Sequence, residues 1–127
     1  MKNLELTTKV LKSLPLGFVF TAEVTTASMQ PQLPVGSLIT VKRVDIKEVK
    51  RGDIVMFGVP SQRFPLVHRV IDKIEQNGIT YLKTKGDAST AVDPSLVSPG
   101  DFLGRVIGKP HSSISIASKL KQLFHLD

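Results

Sequence analysis

The chain has 127 residues, the size of one domain, and its 41% hydrophobic and 22% charged residues predict a packed core and exclude extensive disorder. It contains no Cys, which excludes a disulfide scaffold, a thiol nucleophile and a cysteine-based metal site. The net charge of +6 favours an acidic partner, either nucleic acid or a membrane surface.

Residues 1–17 are predicted to form an N-terminal lead-in, whose first dozen residues fit a short helix or a strand equally well. The longest apolar run, residues 14–20, is much shorter than the roughly 20 residues that span a membrane, so the chain is expected to be soluble or peripheral. From residue 18 onward, β-branched and aromatic residues predict a strand. This strand should end near Ser28, because Pro31 cannot donate to a sheet ladder.

The remaining pattern predicts a mainly β, single antiparallel domain. Further strands are expected at residues 37–44, 54–57, 66–75, 79–84 and 102–108. Asn77-Gly78 predicts a tight hairpin between the fourth and fifth of the six predicted strands. Residues 111–127 form an amphipathic tail with helical spacing, which either packs on the β core or lies on an anionic membrane surface.

Ser28 is a candidate nucleophile because it lies where a strand gives way to a Pro-containing loop. Its backbone N–H is then free of the ladder and its hydroxyl lies at an edge, an arrangement that suits acyl transfer with an adjacent oxyanion site. A Ser close to a Pro is also typical of an ordinary turn.

His68 and two carboxylates are the other candidates. Period-two alternation places His68 on the same strand face as Leu66 and Val70, and imidazole exchanges protons near neutral pH. Asp87 and Asp93 follow the next strand, where either carboxylate could orient the imidazole. A hydrogen-bonded core histidine and plain turn carboxylates explain the same residues. No metal site or cofactor is expected, since the three His are too far apart for a local metal motif.

Taken in order, these segments resemble the type I signal peptidases, in the branch found in the endoplasmic reticulum, archaea and spore-forming bacteria. The resemblance covers residues 18 to 110. The matching boxes are Ser28-Met29-Gln30-Pro31, Gly52-Asp53-Ile54-Val55, Val67-His68-Arg69, Thr84-Lys85-Gly86-Asp87 followed by Asp93, and Gly104-Arg105-Val106-Ile107.

The resemblance implies a serine endopeptidase with the signal-peptidase catalytic fold over residues 18–110, acting on an extended peptide or preprotein after small residues. It implies Ser28 as nucleophile, His68 as general base and Asp87 or Asp93 as its partner. The Ser28 N–H and the Thr26 hydroxyl would hold the oxyanion. The residues expected to contact the peptide are Met29, Pro31, Leu66, Val67 and Gly86.

The chain departs from the family pattern in having no transmembrane anchor before the catalytic strand, so either the anchor was trimmed or the protein is a soluble relative. Two alternatives remain open. One is an inactive or partner-dependent binding module of the same fold. The other is a basic nucleic-acid-binding β domain, which is disfavoured because aromatic residues make up only 6% of the chain.

Overall fold

The computed structural model describes residues 2–62 and 64–108, so the predicted C-terminal helix within 111–127 lies outside the described residues. One helix precedes six strands, with a short 3₁₀ helix at Ile46–Glu48. The elements are α1 (Lys2–Ser13), β1 (Val19–Glu23), β2 (Leu38–Lys42), β3 (Ile54–Phe57), β4 (Leu66–Gln76), β5 (Ile79–Lys85) and β6 (Phe102–Gly108).

The six strands form one antiparallel sheet in the order β1-β2-β6-β3-β4-β5. This confirms the predicted mainly β, antiparallel single domain. The β4–β5 hairpin turns at Asn77 and Gly78, whose φ angles of 54° and 80° are the positive values that a tight two-residue turn requires. Insertion of β6 between β2 and β3 joins the β1–β2 pair to strands β3–β5 in one sheet.

The first strand is shorter than the sequence predicts. β1 ends at Glu23, and Val24 then closes the pairing by donating to the Ser37 carbonyl at 2.9 Å and accepting from Gly36 N–H at 2.8 Å. The prediction of a strand reaching Ser28 is therefore wrong, because this closed pair lets the chain leave the ladder well before Pro31.

Apolar side chains alternate between two cores, one on each face of the sheet. On β3, Val55 and Phe57 join one core, while Ile54 and Met56 join the other, as period-two geometry requires. A strand buried on both faces explains why residues 54–57 are entirely apolar.

Arg43 fixes the end of α1 to the sheet. Its side chain is buried and donates to the Lys12 carbonyl at 3.0 Å, the Leu14 carbonyl at 3.2 Å and the Leu103 carbonyl at 2.6 Å. The bonds to Lys12 and Leu14 satisfy carbonyl groups at the end of α1, and the bond to Leu103 links this end to β6. Neither α1 nor any other helix within residues 2–62 and 64–108 has the length and apolar character needed to cross a membrane.

Two strand edges remain open near the start of β4. β1 is the outermost strand of the sheet, so one of its edges has no partner in the described part of the chain. Residues 66–68 pair with β3 on one side, but β5 joins β4 on the other side only from Arg69 onward. The sheet therefore presents one unpaired main-chain edge on β1 and another at residues 66–68 of β4.

Candidate active site

Ser28 lies in a turn that follows the extended segment after β1. The Ser28 carbonyl accepts a hydrogen bond from Ala88 N–H at 2.9 Å, which ties the turn to the loop after β5. Its neighbour Met29 is 1% exposed and anchors the turn in the core. Within the described residues the Ser28 N–H donates to no other group, so it is free to bind an incoming oxygen atom.

His68 joins Ser28 to Asp93. Its Nε2 lies 3.1 Å from Ser28 Oγ, and its Nδ1 lies 2.6 Å from Asp93 Oδ2. The His68 side chain is only 8% exposed, and the Phe57 ring meets it edge-on at a centroid distance of 6.0 Å. Packing and two hydrogen bonds therefore fix both the position and the plane of the ring.

Asp93 is held in turn by Thr84. The Thr84 hydroxyl donates to Asp93 Oδ2 at 2.7 Å, and the Asp93 N–H donates to the Thr84 carbonyl at 2.9 Å. Thr84 is fully buried on β5, so this carboxylate is positioned by a strand rather than by a free loop.

Gly86 allows the loop after β5 to pass directly beneath the serine. A Cβ atom at this position would lie 2.8 Å from the Ser28 carbonyl oxygen and 3.2 Å from His68 Nε2. Only glycine fits without displacing one of these two groups. The structure thus places Gly86 in the support of Ser28, buried from solvent.

Asp87 pairs with Arg69 and not with His68. Arg69 Nε donates to Asp87 Oδ1 at 2.9 Å, and its terminal Nη2 donates to Oδ2 at 2.7 Å, a bidentate arrangement. Arg69 also donates to the Gly52 carbonyl at 2.8 Å, and the Asp87 N–H donates to the Met29 sulfur at 3.3 Å. Of the two candidate carboxylates, the structure brings Asp93 to the imidazole and gives Asp87 a role in locking the loop.

The Arg69–Asp87 pair makes the free energy of unfolding depend on pH. The two hydrogen bonds from Arg69 hold the pKa of the Asp87 carboxyl below its usual value. A carboxyl of this kind contributes stability above its pKa in the unfolded chain, about 3.9, and loses the contribution as the pH falls through its folded pKa. We expect Asp87→Asn to lower the free energy of unfolding by about 1–3 kcal/mol at pH 7.

Denaturant titrations of wild type and Asp87→Asn between pH 7 and pH 3 measure this difference, which should shrink in the acid range. Asp72→Asn is the matched control, since Asp72 forms an exposed 3.5 Å contact with Arg51 and should change stability little. A gap between wild type and Asp87→Asn that stays constant down to pH 3 would contradict the assignment.

Thr26 and the predicted peptide-contacting residues occupy different places. Thr26 Oγ1 lies 3.1 Å from Ser28 Oγ, beside the nucleophile candidate. Met29, Leu66 and Val67 all line a cavity of about 260 Å³ next to the serine. Pro31 is exposed in the turn and lines neither this cavity nor the second one beside His68.

The 260 Å³ cavity lies between the two open edges. One wall is the extended chain at residues 20–26 and the other is residues 64–67. Since residues 20–26 lead to the turn that carries Ser28, the cavity is a trough beside that turn. Its floor includes Met29 and Met56, both buried.

Sequence reasoning missed Thr84, Arg69 and Phe57 as parts of the site. The sequence did contain a signal for Thr84. Thr80, Leu82 and Thr84 occupy every second position of β5 and so share one face, and a threonine on a buried face needs a hydrogen-bond partner. The edge-on contact of Phe57 depends on the β3–β4 register and had no such pattern. Among residues 2–62 and 64–108, no group of three or more His, Asp or Glu side chains is placed to hold a metal ion.

Comparison with known families agrees with the motif pattern. Residues 7–121 match the model of the family described as signal peptidase, peptidase S26. This match extends over most of the chain and includes every residue of the hydrogen-bonded set.

Individual relatives point the same way. The chain is 35% identical over 96 residues to signal peptidase I W of Bacillus subtilis, which covers 74% of this chain and 50% of that protein. It is 33% identical over 93 residues to the signal peptidase complex catalytic subunit sec11 of Sclerotinia sclerotiorum, covering 67% of this chain and 54% of the relative. The chain thus spans about half the length of the curated relatives it matches. By its family-model match and its relatives, it belongs to the signal peptidase family, peptidase S26, and so to a family of peptide hydrolases.

Proposed function

We propose that this protein is a serine endopeptidase that cleaves extended, signal-peptide-like segments after small residues. The observation that supports this most strongly is the continuous chain of hydrogen bonds from Ser28 through His68 to Asp93, next to a trough with open strand edges. The proposed catalytic unit is residues 18–110, with 1–17 as lead-in and 111–127 as tail.

In the proposed reaction His68 Nε2 takes the proton from Ser28 Oγ as the oxygen attacks the substrate carbonyl carbon. The Ser28 N–H and the Thr26 hydroxyl stabilise the oxyanion of the tetrahedral intermediate. The imidazolium then returns its proton to the leaving nitrogen, and the carbon–nitrogen bond breaks to give an acyl-enzyme. Water then attacks the carbonyl carbon of the acyl-enzyme while His68 takes its proton. The bond from this carbon to Ser28 Oγ breaks, which releases the acid and restores the serine.

Asp93 keeps its hydrogen bond to the imidazole throughout this cycle. It holds the Nδ1 proton, so that Nε2 is the basic nitrogen in the resting state, and it stabilises the positive charge that forms on the ring. Thr84 keeps the carboxylate in place through the second hydrogen bond to the same oxygen. Asp87 does not contact the imidazole. Its ion pair with Arg69 fixes the loop that places Gly86 and Ala88 under Ser28.

The proposed substrate lies in the 260 Å³ trough as an added strand. The outer edge of β1 and the unpaired edge at residues 66–68 supply main-chain groups on both sides, the usual basis of strand addition. Val24, Met29 and Leu66 give the trough an apolar lining, which is proposed to receive the small side chain before the cleaved bond. The names of the relatives, signal peptidase I and a signal peptidase complex catalytic subunit, support a preprotein substrate and action within a larger assembly.

Cleavage of a peptide panel tests this function. Peptides with Ala or a bulky residue at positions one and three before the bond are incubated with wild type, Ser28→Ala and Ser37→Ala, with and without anionic vesicles, and the cut is located by mass spectrometry. We expect cleavage after Ala by wild type and Ser37→Ala only. Ser37 is a suitable control because its hydroxyl bonds the Pro34 carbonyl, away from the site.

A serine-directed fluorophosphonate separates an enzyme from a binding module of the same fold. The enzyme should be labelled at Ser28 and Ser28→Ala should not be. A folded wild type that is neither labelled nor able to cut any peptide, under either condition, would contradict the proposal.

A further inference from the structure

A second and larger cavity lies next to the trough. Its volume is about 440 Å³. Ser28 and His68 both line it, whereas neither lines the trough. Residues 57–62 form one wall and residues 94–97 the other. Thr26 and Leu66 line both cavities, so the two are neighbours.

The side on which His68 lies decides what this second cavity receives. The imidazolium formed at Nε2 must pass its proton to the leaving nitrogen, so the leaving segment has to depart on the side of the imidazole ring. Since His68 faces the 440 Å³ cavity, the part of the substrate after the cleaved bond is directed there. The part before the bond remains in the trough.

The walls indicate which side chains fit. Val59, Leu96 and Val97 give an apolar surface, and Leu96 keeps 39% of its surface exposed to the cavity mouth and solvent. Phe57 closes the inner end, where it also contacts the His68 ring. The polar side chains of Ser61, Gln62 and Ser95 also line this cavity.

We propose that this cavity is the binding site for the leaving segment and that Leu96 selects an apolar side chain among the first residues after the cleaved bond. This inference rests on the proposed peptidase function. It adds a specificity element on the far side of the bond, made by two loops rather than by the strand edges that bind the acyl side.

Paramagnetic labelling tests the orientation without turnover. A peptide spanning the bond, with a nitroxide on a cysteine at either its acyl-side or its leaving-side end, is added to isotopically labelled Ser28→Ala protein. We expect the leaving-side nitroxide to broaden amide resonances of residues 58–62 and 95–97, and the acyl-side nitroxide to broaden those of residues 20–26. The reverse pattern would overturn the inference while leaving the peptidase function intact.

Charge substitution at Leu96 tests the selectivity. Leu96→Lys and Leu96→Glu should change the kcat/KM ratio between acidic and basic leaving-side residues in opposite directions, each by about 10-fold. A methyl ester with the same acyl peptide has no leaving segment and should be hydrolysed equally by both variants. Val35→Lys is the control, since Val35 is exposed and lines neither cavity.

The outcomes separate the two proposals. Equal effects of the Leu96 variants on the ester and the peptides, or no change in selectivity, would overturn the leaving-segment site alone. A spanning peptide that neither binds Ser28→Ala nor is cut by wild type would overturn the peptidase function, and the leaving-segment site with it.

Discussion

Replacing Ser28 or His68 with Ala is expected to lower kcat for peptide cleavage by about 10⁴- to 10⁶-fold, with little change in KM. Ser28→Ala removes the atom that forms the acyl-enzyme. His68→Ala leaves the hydroxyl in place but removes the only base within hydrogen-bond distance of Ser28 Oγ, 3.1 Å away, among the described residues. Substrate contacts along the trough are made by other residues, so binding should persist in both variants.

The double variant is the sharper measurement. Nucleophile and base act as one unit, so Ser28→Ala/His68→Ala should be no slower than either single variant. If the two losses instead multiply, the two residues act independently, and the proposed proton transfer between them would be wrong. Single-turnover kinetics with peptide at several times KM provide the rates.

Stability has to be measured beside activity for His68, because its ring fills a buried position. His68→Ala removes the edge-on contact with Phe57 and leaves Asp93 without one of its donors. We therefore expect His68→Ala to lower the free energy of unfolding as well as to remove activity. His68→Gln keeps more of the side-chain volume, and an equally large loss of kcat in this variant would assign the effect to the lost base.

Much of the sheet follows from short-range pattern. β3 was predicted at its observed bounds, because an apolar run flanked by turn residues allows few alternatives. The β4–β5 hairpin was predicted from Asn77-Gly78, since positive φ at both positions is a local property of these residues. The order of the six strands was not predictable in this way, because the insertion of β6 between β2 and β3 depends on contacts between distant parts of the chain.

The residues of the candidate site were predictable from the sequence, but the hydrogen bonds between them were not. Ser28, His68 and both aspartates were found from strand ends and motif spacing. Asp87 and Asp93 could not be told apart, because they lie six residues apart on one loop and either could reach an imidazole. Two long-range contacts decide between them: Arg69 engages both oxygens of Asp87, and Thr84 turns Asp93 toward the ring.

Asp93→Asn is expected to lower kcat by about 10⁴-fold, at the lower end of the loss expected on removal of Ser28 or His68. The amide can occupy the site in two orientations. With its nitrogen toward His68, it donates to Nδ1 and forces the proton onto Nε2, which can then no longer accept from Ser28. With its oxygen toward His68 the tautomer is kept, but the negative charge that stabilises the imidazolium is lost. Both orientations slow the reaction, and the measured loss of kcat at unchanged KM checks the assignment.

Asp87→Asn separates the two carboxylates. This variant should lose far less activity than Asp93→Asn at a temperature where both are folded, because Asp87 contacts Arg69 and Met29 and not the imidazole. Equal losses of kcat in the two folded variants would contradict the assignment of Asp93 as the partner of His68.

Thr84 provides a finer test of the same carboxylate. Thr84→Val keeps the shape of the side chain and removes the hydroxyl that donates to Asp93 Oδ2. We expect kcat to fall about 10-fold with KM unchanged, and Thr84→Ser to restore most of it.

Thr80→Val is the matched control on the same face of β5, since Thr80 is also buried and also donates to a carboxylate, that of Glu75. Both valine variants should lose similar stability, because each removes one part-buried hydroxyl–carboxylate bond. If only Thr84→Val loses kcat, the effect arises from the position of Asp93, whereas equal losses in the two variants would reduce Thr84 to a structural role.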